Sequence, residues 1–316
     1  MTRNIAASVK ARLLNRAKEK EEEFELFLVR FACERFLYRL SASDLRGRCT
    51  LKGAALLTLW MADPYRATRD LDLLATGAND ETSVRQVMET ICRVPCPEDG
   101  LHFGLDTLEL SPIRAEEKYA GQRAIMFAYL GTARIRLQVD FGFGDALVPA
   151  AEDAEFPTLI AGLPAPKIRV YPRVASIAEK FEAMVHLGHR NSRMKDFHDV
   201  WALSEEFDFD GSSLRRAIER TFGRRGTTWA SEVPVPLTPD FYTEPDVQAR
   251  WQAYRRAGAA RVLPPEPFDQ IGQRVQDFLG PVRASLLAEE AFENCWPAGG
   301  PWRAGGDGGE GATEDG

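Results

Sequence analysis

Two stretches decide how this chain is read: Leu51-Lys52-Gly53-Ala54-Ala55-Leu56, and Arg66-Ala67-Thr68-Arg69-Asp70-Leu71-Asp72-Leu73-Leu74. Asp70-Leu71-Asp72-Leu73 has period two, so a strand there projects Asp70 and Asp72 from one face and Leu71 and Leu73 from the other. Two neighbouring carboxylates repel each other unless a cation sits between them, and hard divalent metals that bind a triphosphate take such oxygen ligands. The same Asp-x-Asp pattern also suits a solvated strand face or a turn, so a second observation is needed. Arg134-Ile135-Arg136-Leu137-Gln138-Val139-Asp140-Phe141 supplies one. Ile135, Leu137, Val139 and Phe141 alternate onto a core face, Arg136, Gln138 and Asp140 onto the other, and a glycine turn, Gly142-Phe143-Gly144-Asp145, follows. Asp70, Asp72 and Asp140 then give two strands three carboxylates on polar faces, the donor set for one or two Mg²⁺ ions, with Mn²⁺ as an alternative.

Working outward, Cys49 to Lys52 reads as a short strand, and Gly53 allows a tight turn into a helix over Ala54–Met61. Amides at Gly53 and Ala54 could receive phosphate oxygens there, with Lys52 offsetting charge; a plain strand-to-helix turn has the same appearance. Asp63-Pro64 breaks the helix. Arg66 and Arg69 precede the Asp pair, and Arg69 could hold a carboxylate, meet a phosphate or form an ordinary surface ion pair.

Strand, small-residue turn, hydrophobic-Asp-hydrophobic-Asp and a third Asp in a later strand resemble the nucleotidyltransferase superfamily of the polymerase-beta type. Within it, Lys52-Gly53-Ala54-Ala55-Leu56, Arg66-Ala67-Thr68-Arg69-Asp70-Leu71-Asp72-Leu73 and Lys195-Asp196-Phe197-His198-Asp199-Val200 are similar to the AbiEii/MenA group, the toxins of bacterial type IV toxin–antitoxin pairs. The resemblance runs from about Thr50 to about Leu203. It implies an α/β (α+β) nucleotidyltransferase core with a mixed sheet and a mainly helical C-terminal domain. It also implies Mg²⁺ on Asp70, Asp72 and Asp140, an NTP substrate, and transfer of NMP to the 3′ end of tRNA, opposed by a cognate antitoxin. By the same resemblance Lys180 meets the triphosphate, and Asp199, with Asp196 beside it, completes the active site by holding Lys180 or accepting a proton. Family members commonly carry Gly-Ser or Gly-Gly where this chain has Gly53-Ala54, so a hydroxyl contact to phosphate is missing and the backbone contact remains. Transfer to a protein hydroxyl or a small molecule, or a non-catalytic binding module, are the alternatives.

With 316 residues, 44% of them hydrophobic, the chain can bury a sizeable core in one large or two smaller domains. The net charge of −7 is mild and announces no nucleic-acid binder. Five cysteines, Cys33, Cys49, Cys92, Cys96 and Cys295, read as free thiols, and no apolar run reaches membrane-span length, so a soluble cytoplasmic protein is expected.

The pattern over Ile5–Leu40 is helical, with the charged run Lys18 to Glu23 as a solvated face carrying i,i+4 pairs. Glu81–Ile91 is an amphipathic helix, and segments around Leu108–Leu110, Arg123–Leu130 and Arg134–Phe141 are strands, the last two joined by a turn at Gly131-Thr132. Residues 144–166 read as a crossing between domains. We expect a core over 1–166, a helical domain over 167–295 completing an NTP cleft, and a disordered acidic tail over 296–316. In the second domain, helices are expected from Pro172, from about Lys195, and over Ser212–Phe222, Pro245–Arg256 and Pro267–Asn294, with a loop at Val233–Phe241. His186, His189 and His198 fix no third ligand and make a poor zinc site.

Overall fold

Period-two segments and amphipathic helices assemble into two compact units, residues 1–146 with 150–171, and residues 147–149 with 172–316. The computed structural model describes residues 4–62, 64, 68–113, 121–144, 147–257 and 264–305.

The first unit contains helices α1 (Ile5–Glu19), α2 (Phe24–Ser41), α3 (Ala55–Trp60) and α4 (Glu81–Cys92). Its strands are β1 (Cys49–Lys52), β2 (Leu71–Ala75), β3 (Leu101–Ile113), β4 (Gly121–Leu130), β5 (Ala133–Phe143), β6 (Glu152–Glu155) and β7 (Lys167–Val170). They form one seven-stranded mixed sheet in the order β3-β4-β5-β2-β1-β7-β6. β2 runs parallel to β5 and β1 parallel to β7, while the other neighbours are antiparallel. The expected mixed α/β architecture is therefore present.

Helix α2 packs against β5 and β7 and buries Phe27, Phe31, Phe36, Leu37 and Leu40. It also buries charge. Arg39 makes a two-pronged pair with Asp99 at 2.7 and 3.2 Å, and Asp99 in turn accepts from the Leu101 amide at 2.9 Å, which ties α2 to the start of β3. Buried Glu34 accepts from the Leu159 amide, and burial, opposed by Arg35, pushes its carboxyl up to about 6.

The helical pattern over Ile5–Leu40 resolves into two helices, and two other expectations are corrected. Between Ala17 and Phe24 no apolar residue offers a face to bury, so the chain turns at Glu21, whose φ is 52°, and Glu22 pairs with Arg30 at 2.9 Å. Residues 144–166 are more than a crossing, because β6 hydrogen-bonds to β7 at the sheet edge. The first unit consequently extends past Pro166: β7 pairs with β1, and the Tyr171 amide donates to the Leu51 carbonyl at 2.9 Å.

The second unit contains α5 (Arg173–Leu187), α6 (Met194–Glu206), β8 (Phe209–Asp210), α7 (Gly211–Arg225), α8 (Pro239–Thr243), α9 (Pro245–Arg256), α10 (Phe268–Leu287) and β9 (Cys295–Trp296). α5 packs on α6 and α7, and α10 on α6, α7 and α8. The expected loop at 233–241 contains the start of α8, which Thr238 caps by accepting from the Phe241 amide and Pro239 opens. The expected helix over 267–294 ends at Leu287, and Glu289 takes a φ of 55°. The tail is also corrected over 296–305. Trp296 is fully buried and donates from Nε1 to the Ser204 carbonyl at 2.8 Å; Trp302 stacks on Phe278 at 5.6 Å between centroids. The two tryptophans bury enough apolar surface to order a segment whose glycines alone would not. Asp307, Glu310, Glu314 and Asp315 lie outside the described residues. Among the described residues, no helix is long and apolar enough to cross a membrane.

Candidate active site

β2 lies between β1 and β5, which sets residues from four strands in one row. Lys52 pairs with Asp72 across β1 and β2, Asp72 with Asp140 across β2 and β5, and Asp140 with Arg123 across β5 and β4. Residues directly opposite in a ladder share a face. The row therefore reads Arg123, Asp140, Asp72, Lys52: cation, anion, anion, cation. Asp70 continues the alternation two residues before Asp72, and Thr68 Oγ1 donates to its Oδ1 at 3.0 Å and to its carbonyl at 2.9 Å. Its charge is felt by the deeply buried Cys33 thiol on α2, which burial first and Asp70 second push up to about 12.

The Arg123 guanidinium grips Asp140 with two parallel bonds, Nε to Oδ1 at 2.8 Å and Nη2 to Oδ2 at 2.7 Å. The Gln138 amide approaches the same oxygens at 3.3 and 3.4 Å. The hydrogen bond to Asp140 raises the Arg123 pKa above its ordinary value; desolvation opposes this, and the charges of Asp140, Asp70 and Asp72 reinforce it. Three carboxylates thus converge electrostatically on one guanidinium.

Gly53 is fixed by two constraints. Its φ is +71°, and a Cβ there would lie 2.0 Å from Asp72 Oδ2. The Asp72 carboxylate fills the space a side chain at 53 would need. Lys52 reaches over β5: a Cβ on Gly142 would be 3.4 Å from its Nζ, and the Tyr171 ring centre is 6.0 Å from Nζ. Ala54 is the N-cap of α3 and gives no side-chain cap, and α3 is only six residues long. Arg69 is exposed and forms no ion pair among the described residues, while Arg66 lies outside them.

In the second unit, Asp196 in the first turn of α6 and Asp199 one turn later face α5. Lys180 Nζ donates to Asp196 Oδ1 at 3.1 Å and to Asp199 Oδ2 at 2.6 Å. Arg193 Nε donates to the other Asp196 oxygen at 2.6 Å. Both aspartates are 1% exposed. Burial pushes the Asp196 carboxyl up, but Lys180 and then Arg193 more than offset it, so the group ends below the usual carboxylate range. His198 points elsewhere, its Nδ1 2.8 Å from the Tyr254 hydroxyl.

The sequence profile of the nucleotidyl transferase AbiEii toxin family, type IV toxin–antitoxin system, matches residues 35–274, which hold both clusters. The chain belongs to this family. It is an AbiEii nucleotidyltransferase, and type IV membership implies an NTP substrate and an antitoxin partner. Two solved structures are similar at 12% identity and a TM-score of 0.44: a candidate nucleotidyltransferase from H. pylori, covering 82% of this chain and 94% of its own, and JHP933 from Helicobacter pylori, covering 81% and 90%. No curated protein matches.

In this AbiEii chain the donor chemistry at Asp70, Asp72 and Asp140 fits a hard divalent ion, since all are carboxylates and Asp72 and Asp140 are direct neighbours on one sheet face. Among the described residues, however, no group of three His, Cys, Asp or Glu is disposed to hold an ion, and both Asp140 oxygens are engaged by Arg123. Arg123 and Arg193 are the polar residues that the sequence reading did not single out. A signal for Arg123 was present: a two-residue turn at Gly131-Thr132 pairs Leu130 with Ala133, and the same register pairs Arg123 with Asp140.

Proposed function

We propose that this AbiEii nucleotidyltransferase acts in the cytoplasm, moving NMP from an NTP to the 3′ end of tRNA with Mg²⁺ held by Asp70, Asp72 and Asp140. The observation that supports this most is the registered Asp72–Asp140 pair beside a glycine turn whose side-chain space the Asp72 carboxylate fills. When bound, the ion would lower the pKa of the attacking hydroxyl and stabilise the leaving pyrophosphate. The rest falls to the chain. Asp72, backed by Gly53, holds a fixed direction, and Thr68 orients Asp70. Lys52 and the Gly53-Ala54 amides are assigned to the phosphates, where they neutralise charge in the transition state. For Lys180 we propose a phosphate contact as well. Asp196 and Asp199 hold its ammonium and long side chain in one position, so less entropy is lost when it meets an anion. Asp199 is assigned the holding role rather than proton acceptance, because its Oδ2 is 2.6 Å from Lys180 Nζ.

The test is incorporation of each α-³²P-labelled NTP into total tRNA with Mg²⁺, comparing wild type with Asp72→Ala. Label in tRNA that the variant abolishes supports the reading and names the nucleotide. Label in protein or in a small molecule would redirect the acceptor, and no label with no NTP binding would sink the catalytic reading.

A further inference from the structure

Arg123 is the member of the charged row that the transfer chemistry above does not use. We propose that Arg123 is the internal counter-ion of the nucleotide-free centre: its guanidinium occupies the Asp140 oxygens that a divalent ion needs, and it must release Asp140 before the ion can bind. This rests on the reading that Asp70, Asp72 and Asp140 are the metal carboxylates.

The geometry is that of a lock. Both Asp140 oxygens face the guanidinium fork at 2.7 and 2.8 Å, and the carboxylate side chain is only 12% exposed, so there is little open side from which a second cation could approach. A divalent ion sits about 2.0 to 2.6 Å from its oxygens. It cannot share them with an in-plane guanidinium without strong like-charge repulsion. Nor can Arg123 leave by losing a proton, because a guanidinium stays charged at any physiological pH. It has to move. The structure gives it room: its side chain is 40% exposed, and its neighbour on the far side of the row is Ser111 of β3, small and exposed. A released guanidinium is a planar fork suited to phosphate oxygens. Nucleotide arrival would therefore reward the release, and the centre would load metal more readily with NTP than without it.

The experiment measures metal binding without turnover. Nucleotide-free full-length protein is titrated with Mn²⁺ by calorimetry as wild type, Arg123→Ala and Arg123→Lys, and the wild-type Arg123 Nε–H resonance is followed by NMR as Mg²⁺ is added. We expect Arg123→Ala to bind Mn²⁺ about 5- to 150-fold more tightly than wild type, the span of ordinary coupling between sites. Arg123→Lys should fall between, since lysine keeps the charge but lacks the fork. In the wild type, the Nε–H resonance should move to the position of a free arginine as Mg²⁺ saturates. Lysine behaving as wild type while alanine tightens would reduce the effect to long-range charge and overturn the lock. So would saturation by Mg²⁺ with the Arg123 resonance unmoved, or equal Mn²⁺ affinity in all three proteins. If neither wild type nor Arg123→Ala binds Mn²⁺, the carboxylates hold no metal and the reading of the centre falls with the proposal.

Discussion

Replacing Gly53 with alanine adds one methyl group at the point where the proposed site meets the backbone. A non-glycine residue at a φ of +71° costs about 1–2 kcal/mol. For a cooperative unit of this size that lowers Tm by about 2–8 °C. The larger effect concerns Asp72. The new Cβ would stand 2.0 Å from Oδ2, whereas ordinary contact begins at 3.4 Å, so the carboxylate must retreat by about 1.4 Å (3.4 − 2.0) or the turn must open. Misplacing a catalytic group by about 1 Å costs on the order of 100-fold in rate. Gly53→Ala should therefore fold with a modest loss of stability and transfer label at about one hundredth of the wild-type rate. The measurements are thermal unfolding by circular dichroism and transfer of α-³²P-NMP. Asp72→Ala is the companion variant: it should abolish transfer without the backbone cost at position 53. A Gly53→Ala protein that transfers at the wild-type rate would refute the idea that this glycine is kept for Asp72.

Three further outcomes are expected. Lys180→Met leaves Asp196 and Asp199 buried with one cation fewer and should lower the unfolding free energy by about 3–5 kcal/mol in urea titrations; an unchanged midpoint would show that the pair contributes nothing to stability. Arg39→Ala strands buried Asp99 and should cost a similar amount, about 3–5 kcal/mol, with the loss reduced when Asp99 is changed to asparagine in the same chain. The Asp196 carboxyl is held below its unfolded value of about 3.9, so its contribution is fully present above that pH and disappears as pH falls through the lower folded value. Asp196→Asn should flatten stability against pH below about 4, and parallel curves for variant and wild type would contradict the assignment.

What was legible in the sequence was the content of each face. Alternation in Arg134–Phe141 placed Asp140 opposite the core before any strand was paired, and Asp70-Leu71-Asp72-Leu73 did the same for β2. What was not legible were features set by non-local contact. Strict apolar periodicity hid the buried Glu34, Arg35 and Arg39 on α2, because their partners, Leu159, Pro164 and Asp99, lie 60 to 129 residues away along the chain. The tail failed for a related reason. Counting glycines and acids over 296–316 gave a disordered segment, yet the ring of Phe278 was waiting for Trp302.

The charged row shows where local reading ends and pairing begins. Asp140 and Arg123 belong to one antiparallel hairpin, so their meeting follows from the Gly131-Thr132 turn: seven residues back from Leu130 is Arg123, and seven forward from Ala133 is Asp140. Asp72 joins them through a parallel pairing of β2 with β5, and Lys52 through an antiparallel pairing of β1 with β2, which no turn dictates. A parallel neighbour must return by a crossover, here α4 with the β3-β4 hairpin, and a slip of one residue would turn Asp72 into the core. Leu71 and Leu73, both fully buried, forbid that slip, since burying Asp70 and Asp72 in their place would cost several kcal/mol per charge. The hydrophobic half of the alternation thereby fixes the polar half. Its result is two adjacent carboxylates between two cations, and the Arg123 cation grips Asp140 through a two-pronged fork that an incoming ion would have to displace.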